Sequence, residues 1–167
     1  MKGTVSSIET MGLVDGPGIR CVVFLDGCLL RCKYCHNPET WNLGKENMAV
    51  DELAQKILRN KPYFRSTGGV TFSGGDPLVQ IDFLIEVCKK LKEEDIHIAL
   101  DTSGVGSDTF RHEELLTYID LVLFDVKHTD SEEYKNLVGV DIDKSLKFLN
   151  LCKKLNKPLW IRQVIIP

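Results

Sequence analysis

Short apolar runs rich in β-branched residues alternate with amphipathic helical stretches along most of this chain. The runs predict strands at 19–25, 70–72, 96–100, 121–126 and 159–166, with helices at 51–60, 77–94, 112–118 and 144–155. A further strand-like segment, 4–8, is expected at one edge. Asp51 is placed to cap the helix at 51–60, and the connection 27–50 is expected to be without structure. Because strands separated by helices pair in parallel, the pattern predicts an α/β fold with a parallel sheet and helices outside it.

The composition limits the class of protein. The chain has 167 residues, of which 43% are hydrophobic and 27% charged, and this fits one globular domain. The net charge is −3 and the lysines are interspersed with acidic residues, so the sequence shows no basic patch for binding nucleic acid. The sequence contains neither an apolar signal segment nor a run long enough to cross a membrane. The expected location is the cytoplasm, where the six cysteines stay reduced.

Three cysteines with the spacing Cys28-x-x-x-Cys32-x-x-Cys35 follow the strand predicted at 19–25. Three thiolates can hold three irons of a four-iron cluster, and the fourth iron then stays open because an ordinary cluster takes four cysteines. An open iron can bind a substrate. The motif therefore predicts a reactive [4Fe-4S] site.

Two other uses of these cysteines have to be weighed. A structural zinc site would add His36, but zinc sites usually pair separated ligand couples, and Cys35 and His36 are adjacent. An electron-transfer module would need a fourth protein ligand. The remaining cysteines, Cys21, Cys88 and Cys152, lie within strand or helix patterns and are expected to be buried as small hydrophobes. The iron–sulfur interpretation is favoured.

Polar clusters follow the next three predicted strands, at 73–76, 101–104 and 125–127. Parallel α/β folds bind ligands outside the carboxyl ends of their strands, so these clusters are expected to meet at one site beside the cysteines. Within the first cluster, Asp76 is predicted to cap a helix that begins at Pro77. Its two glycines allow the backbone to approach a ligand closely.

Charged side chains at the predicted mouth of the sheet suggest how a ligand is held. Asp101, Thr102 and Asp125 are common residue types at strand ends, but two converging carboxylates repel each other without a cation. Such oxygen-rich sets suit hard cations. Lys127 supplies a point charge for a ligand carboxylate. Arg162 lies on a predicted core strand and needs a partner, so it is expected to point toward the site or the rim.

The segment 28–37 resembles the radical S-adenosylmethionine superfamily, and 15–20, 36–41, 136–140 and 160–162 resemble its activating enzymes of glycyl-radical enzymes. The resemblance covers the whole chain. It implies a partial (β/α)₆ barrel with about five of its six strands present, and a [4Fe-4S] cluster on Cys28, Cys32 and Cys35. Residues 1–167 are expected to be one radical S-adenosylmethionine core domain. Because the chain stops at Pro167, after the fifth barrel strand, this domain is expected to be incomplete relative to the family.

The resemblance also implies the reaction. The open iron would bind the amino and carboxylate groups of S-adenosylmethionine, and one electron would cleave the sulfonium to methionine and a 5′-deoxyadenosyl radical. That radical would take a hydrogen atom from a glycine of the partner, a glycyl-radical enzyme, with pyruvate formate-lyase the expected one. A flavodoxin or a ferredoxin is expected as the electron donor.

Individual residues receive roles from the same resemblance. Those assigned to S-adenosylmethionine are Tyr34, Gly74, Gly75, Asp76, Asp101, Lys127, Arg162 and Val164. A monovalent cation is expected at Asp101, Thr102 and Asp125, and the partner's glycine loop at Asp15 and Asn37. One departure is that the family turn usually reads Gly-Gly-Glu where this chain has Asp76. The shorter carboxylate is expected to cap the helix nonetheless.

Overall fold

The computed structural model describes residues 1–107 and 110–165, and a six-stranded sheet forms its centre. The strands are β1 Lys2–Gly3, β2 Val5–Gly12, β3 Arg20–Leu25, β4 Met48–Ala49, β5 Gly69–Gly74, β6 Ile98–Thr102, β7 Leu121–Asp125 and β8 Leu159–Arg162. The sheet order is β2-β3-β5-β6-β7-β8, parallel from β3 to β8, with β2 antiparallel on β3. The predicted parallel sheet and its added edge strand are confirmed.

Helices connect the parallel strands. They are α1 Val50–Leu58, α2 Lys61–Phe64, α3 Ile81–Glu93, α4 His112–Tyr118, α5 Ser131–Val138 and α6 Asp143–Lys154, with 3₁₀ turns at Pro38–Trp41 and Pro77–Gln80. α3 packs beside α1 on one side and α4 on the other, and α4 contacts α6. None of the helices in the described ranges is long and apolar enough to span a membrane.

The core lies between the parallel strands and this helical layer. Leu53 and Ile57 of α1 pack with Leu84 of α3 in one cluster of buried side chains. Fully burying such a side chain contributes about 1.5–3 kcal/mol. The cysteines outside the motif, Cys21, Cys88 and Cys152, belong to the same cluster, as predicted.

Two details of the predicted helices are wrong. Asp51 does not cap α1, because β4 pairs with β1 and leads the extended Ala49 directly into the helix, which has no side-chain cap. Asp51 instead forms an ion pair with Lys90 of α3 at 2.8 Å. The helix predicted at 77–94 is a 3₁₀ turn followed by α3. Asp76 does cap the 3₁₀ turn, since its carboxylate accepts from the Leu78 N–H at 3.1 Å.

The structure also contains a helix that the sequence pattern did not predict. α5 begins after Asp130, whose carboxylate accepts from the N–H groups of Glu132 and Glu133, and ends at Gly139 in the left-handed conformation. The connection 27–50, expected to be without structure, contains the 3₁₀ turn at 38–41 and β4. β8 ends at Arg162 rather than at 166, a residue that lies outside the described ranges.

Candidate iron–sulfur site

A cavity of about 280 Å³ opens at the carboxyl ends of the parallel strands. Every residue predicted for the cluster, the cofactor, the cation or the partner loop lines it, with the exception of Arg162. Side chains that received no such role also line it, namely Phe24, Leu30, His36, Trp41, Ser73 and Ser103. The clusters that are far apart in sequence therefore form one site.

Backbone hydrogen bonds fix the cysteine loop, residues 27–37, from two sides. The Cys28 N–H donates to the Trp41 carbonyl at 3.0 Å, so the 3₁₀ turn holds the start of the loop. The N–H groups of Arg31 and Lys33 donate to the Val138 carbonyl at 2.8 Å and the Leu137 carbonyl at 3.0 Å. These two carbonyls lie in the last turn of α5, so the unpredicted helix helps to place the cysteines.

The side chain of Arg31 closes the cysteine loop on itself. Its guanidinium donates to the carbonyls of Cys28 and Leu30, both at 2.7 Å. It also lies over the Trp41 ring at 5.1 Å from the centroid, a cation–π distance. Arg31 thus ties the start of the loop to the 3₁₀ turn at 38–41.

Burial makes two of these cysteines, Cys28 and Cys32, poor thiolates on their own. Burial raises the pKa of Cys28 to about 12, and it also raises the pKa of Cys32 above the usual value. All three cysteines of the motif are free and line the same cavity. A metal that binds thiolates replaces their protons and repays the cost of burying the charge. Soft sulfur ligands of this kind suit an iron–sulfur cluster.

The turn after β5 brings backbone against backbone. Gly74 has φ of 117°, and a Cβ there would lie 2.3 Å from the Leu25 nitrogen and oxygen. A Cβ on Gly75 would lie 2.3 Å from the Gly27 carbonyl oxygen. Only glycine fits at either position. The β5 turn is thereby pressed against the start of the cysteine loop.

The carboxylate of Asp76 serves the protein rather than a ligand. It is buried, and Oδ1 accepts from the Leu78 N–H and from the Thr102 hydroxyl at 2.7 Å. Oδ2 accepts from the Ser103 N–H at 3.0 Å and from the Ser103 hydroxyl at 2.6 Å. With these four bonds Asp76 joins the ends of β5 and β6. Any contact of this turn with a ligand therefore falls to its backbone.

Two basic side chains neutralise the pair of carboxylates at the ends of β6 and β7. Arg162 forms ion pairs with Asp101 and, through Nε at 3.1 Å, with Asp125. Lys127 contacts the other oxygen of Asp125 at 3.0 Å. Thr102, which was expected to share a cation with these carboxylates, donates instead to Asp76. The repulsion between the carboxylates is relieved by the chain itself, and a monovalent cation there stays a prediction.

Lys127 and Tyr34 face each other across the cavity wall. The Lys127 ammonium lies 5.7 Å from the centroid of the Tyr34 ring. Burial opposes the charge of Lys127, but Asp125 raises its pKa above the ordinary value, with help from Tyr34 and Cys32. The Tyr34 hydroxyl is buried and has no hydrogen-bond partner among the described residues. An unpaired buried hydroxyl on the wall of a cavity suits a polar ligand.

The mouth of the cavity carries the residues predicted for the partner and the adenosine. Asp15 and Asn37 lie on its rim in separate loops, and Val164 lies beyond β8, half exposed. Arg162 does not line the cavity, yet its ion pairs point it toward the site, as predicted.

A zinc site has no support in this geometry. Within 1–107 and 110–165, no three His, Cys, Asp or Glu side chains are placed to hold one metal ion. His36 is exposed to solvent. A four-iron cluster does not require its cysteines to surround one ion, because each cysteine binds a separate iron.

The model of a known protein family matches this region. The family is described as a 4Fe-4S single cluster domain, and the match covers residues 14–142. This range contains the cysteine loop, the turn after β5, and the ends of β6 and β7. The fold and the cysteine loop therefore define an iron–sulfur protein with a single cluster.

Relatives identify the family more closely. The chain is 52% identical over 169 residues to the pyruvate formate-lyase-activating enzyme of Clostridium pasteurianum, covering 100% of this chain and 70% of the relative. A solved domain of the Bacteroides vulgatus pyruvate-formate lyase-activating enzyme is 31% identical with a TM-score of 0.54, covering 59% of this chain and 61% of that one. Native anSMEcpe with bound AdoMet, 20% identical, shares the fold at a TM-score of 0.65 over 81% of this chain and 40% of its own.

The chain belongs to the family of pyruvate formate-lyase-activating enzymes. This confirms the class predicted from the sequence, an activating enzyme of the radical S-adenosylmethionine type. It also confirms the predicted fold class, with five parallel strands of the barrel present.

Proposed function

We propose that this protein cleaves S-adenosylmethionine reductively at a [4Fe-4S] cluster and generates a glycyl radical on pyruvate formate-lyase. The observation that carries the proposal is the single cavity in which three free cysteines meet the turn after β5 and the charged ends of β6 and β7. A structural metal site needs no such open, polar surroundings. A reactive site with room for a cofactor does.

The residues present fit the cluster. Cys28, Cys32 and Cys35 would hold three irons, and the cavity beside them leaves the fourth open to a ligand. The other cysteines in the described ranges, Cys21 among them, are packed in the core and do not line the cavity. This arrangement favours substrate binding over simple electron transfer.

S-adenosylmethionine would lie between the cluster and the mouth. The backbone of Gly74 and Gly75 would contact its amino group, and Lys127 its carboxylate, with Arg162 able to assist on leaving Asp101. Tyr34 and Val164 would border the adenosine. When bound, the reduced cluster would supply one electron and S-adenosylmethionine would supply methionine and a 5′-deoxyadenosyl radical able to take a hydrogen atom from the partner's glycine. Asp15 and Asn37 would hold the glycine loop at the mouth.

The remaining assignments follow from the same chemistry. The electron donor is a flavodoxin or a ferredoxin, since the cluster must be reduced by one electron before each cleavage. The protein works in the cytoplasm, where the cysteines of the motif stay reduced. Residues 1–167 act as one radical S-adenosylmethionine core domain.

Anaerobic reconstitution tests this function directly. We expect about four irons per chain, and 5′-deoxyadenosine after addition of dithionite and S-adenosylmethionine. Added pyruvate formate-lyase should give the electron paramagnetic resonance signal of a glycyl radical. Zinc in protein purified without oxygen, or a well-loaded cluster that forms no 5′-deoxyadenosine, would refute the proposal.

Lys127→Ala should weaken the binding of S-adenosylmethionine by about 1–3 kcal/mol, because a charged hydrogen bond to its carboxylate is lost. Iron content should not change, since Lys127 is no cluster ligand. Equilibrium binding to the reconstituted protein measures the affinity, and iron analysis measures the cluster.

Lys56→Ala is the matched control for that substitution. Lys56 forms an exposed ion pair with Glu52 on α1, outside the cavity, so its loss removes the same charge from the protein surface. The control should bind S-adenosylmethionine like the wild type. Equal affinity in wild type and Lys127→Ala would remove Lys127 from the site.

A further inference from the structure

Arg20, the first residue of β3, is the largest fully buried side chain in the described part of the protein. Burial lowers its pKa to about 10, although Asp120 and Asp15 act in the opposite direction, and the hydrogen bonds that the structure describes for it all go to uncharged groups. Burying an unpaired charge is costly unless hydrogen bonds compensate. An apolar residue would fill this place in the sheet at lower cost. The presence of a buried arginine at this position therefore has to be explained by the groups to which its guanidinium donates hydrogen bonds.

The guanidinium binds only neutral acceptors. Nε donates to the Thr71 hydroxyl at 2.6 Å, and Nη1 donates to the Pro17 carbonyl at 2.9 Å. Nη2 donates to the Val70 carbonyl and contacts Nδ1 of His97 at 3.2 Å. Because an arginine can only donate, Nδ1 of His97 is the unprotonated nitrogen. Burial and the nearby Arg20 both lower the pKa of His97, which keeps the ring neutral.

These bonds end on the turn at residues 15–18, which we term the rim turn. The Thr71 hydroxyl accepts from Nε of Arg20 and donates to the Asp15 carbonyl at 2.6 Å. Pro17 is held directly by Arg20. Two carbonyls of the rim turn are thus fixed by one buried network that begins in β3 and β5.

The N-terminal end of the rim turn has little other support, whereas Gly18 at its other end lies against the backbone of Thr67 and Gly68. The residues just before the turn, Leu13 and Val14, are 72% and 86% exposed, so apolar packing does not fix its N-terminal end. Gly16 and Gly18 have φ of 126° and 70°, values that glycine adopts readily and other residues rarely do. Because glycine is also the most flexible residue in a free chain, these two positions do not stiffen the turn by themselves. Asp15 nevertheless lines the cavity mouth.

We propose that Arg20 and Thr71 are positioning residues that hold the rim turn, so that Asp15 meets the glycine-bearing segment of the partner protein. This rests on the proposed function. The network then sets affinity for the protein substrate and leaves cluster assembly and S-adenosylmethionine binding alone, because it lies behind the rim and contacts neither the cysteine loop nor Lys127.

Thr71→Val tests the network with the least disturbance, because it replaces a buried hydroxyl by a methyl group of similar size. The reconstituted variant should show a KM for pyruvate formate-lyase about tenfold higher, with little change in kcat. Formation of 5′-deoxyadenosine without the partner should match the wild type. Amide hydrogen exchange in segment 13–20 should be about tenfold faster, which reports the turn independently of activity.

Two variants serve as controls for Thr71→Val, and a third tests Arg20 itself. Thr71→Ser keeps the hydroxyl and should restore both KM and exchange to near the wild-type values. Thr117→Val removes a hydroxyl that bonds within α4, to the Glu114 carbonyl, and should change neither readout. Arg20→Lys, which loses the fork that reaches several acceptors, should raise KM and speed exchange at least as much as Thr71→Val.

The outcomes separate this inference from the proposed function. Unchanged KM and exchange in Thr71→Val would overturn it. So would an equal loss of 5′-deoxyadenosine formation without the partner, because the effect would then be general destabilisation. If the wild type forms no glycyl radical, the proposed function fails. Amide hydrogen exchange in segment 13–20 then tests the inference without activity. A wild-type exchange rate in Thr71→Val would overturn it.

Discussion

Cys32→Ala is expected to abolish the cluster, with iron falling from about four per chain to near zero after reconstitution. The two remaining cysteines leave two irons of the cluster without a protein thiolate, so they cannot retain it. Formation of 5′-deoxyadenosine should fall to the level of protein-free controls. Iron analysis, the visible absorption of the cluster and product chromatography measure these three results.

The fold around position 32 should survive that substitution. Cys32 is 8% exposed and packs with Leu30, Tyr134 and Val138. The hydrogen bond from the Cys35 N–H uses the backbone carbonyl of residue 32, which alanine retains. The loss of a buried sulfur should cost on the order of 1 kcal/mol. The loss of activity would therefore come from the missing ligand.

Cys152→Ala is the matched control because Cys152 is also buried and free, but lies in the core on α6. It should lose a similar amount of stability and keep all its iron. If Cys32→Ala keeps four irons, or if Cys152→Ala loses its cluster, the assignment of the ligands is wrong.

The sequence predicted the sheet well because its central parallel strands, β3, β5, β6 and β7, are buried on both faces. Strands β3 and β5 are almost wholly buried and read as continuous apolar runs. The position of the site followed from this order, since polar clusters at strand ends must meet at one edge. These features need only local patterns.

The hydrophobic pattern did not predict α5, because only a narrow face of this helix is buried. Only Tyr134 and Val138, one turn apart, are buried in it, and the other side chains are polar or partly exposed. The capping signals were present in Asp130 and Gly139 and would have located both ends. Periodicity alone could not have found so short an apolar stripe.

The partners of individual polar groups could not be predicted from the chain. The pattern placed Thr102 beside Asp101, but its hydroxyl turns to Asp76 on the neighbouring strand end. In the sequence, Arg20 is simply a charge within the strand predicted at 19–25. Its role depends on Thr71, 51 residues away in sequence, which only the parallel pairing of β3 and β5 brings near.

Asp76→Asn is expected to destabilise the folded protein by about 2–4 kcal/mol at neutral pH. Each carboxylate oxygen accepts one backbone N–H and one hydroxyl. Oδ1 accepts from the Leu78 N–H and the Thr102 hydroxyl, and Oδ2 accepts from the N–H and the hydroxyl of Ser103. An amide NH₂ in either orientation would face a backbone N–H that cannot rotate. Chemical denaturation of the cluster-free protein measures the loss.

Asp76→Glu is the control that keeps both acceptor oxygens. Its extra methylene must fit a site with almost no exposed surface, so we expect a smaller loss, on the order of 1 kcal/mol. A loss in Asp76→Asn no larger than in Asp76→Glu would mean that the four hydrogen bonds do not determine stability here.

The pH dependence of stability gives a second readout for Asp76. Burial raises its pKa from 3.8 to about 6, against the opposing hydrogen bonds of Ser103 and Thr102. The folded protein therefore holds this proton more tightly than the unfolded chain. The stabilisation is present in full below pH about 4 and is lost as pH rises to about 6, on the order of 3 kcal/mol. A protonated carboxyl oxygen keeps a lone pair for the backbone N–H, whereas an amide nitrogen has none. Asp76→Asn should therefore lack this pH-dependent component, and an unchanged slope in the variant would assign the titration to another group.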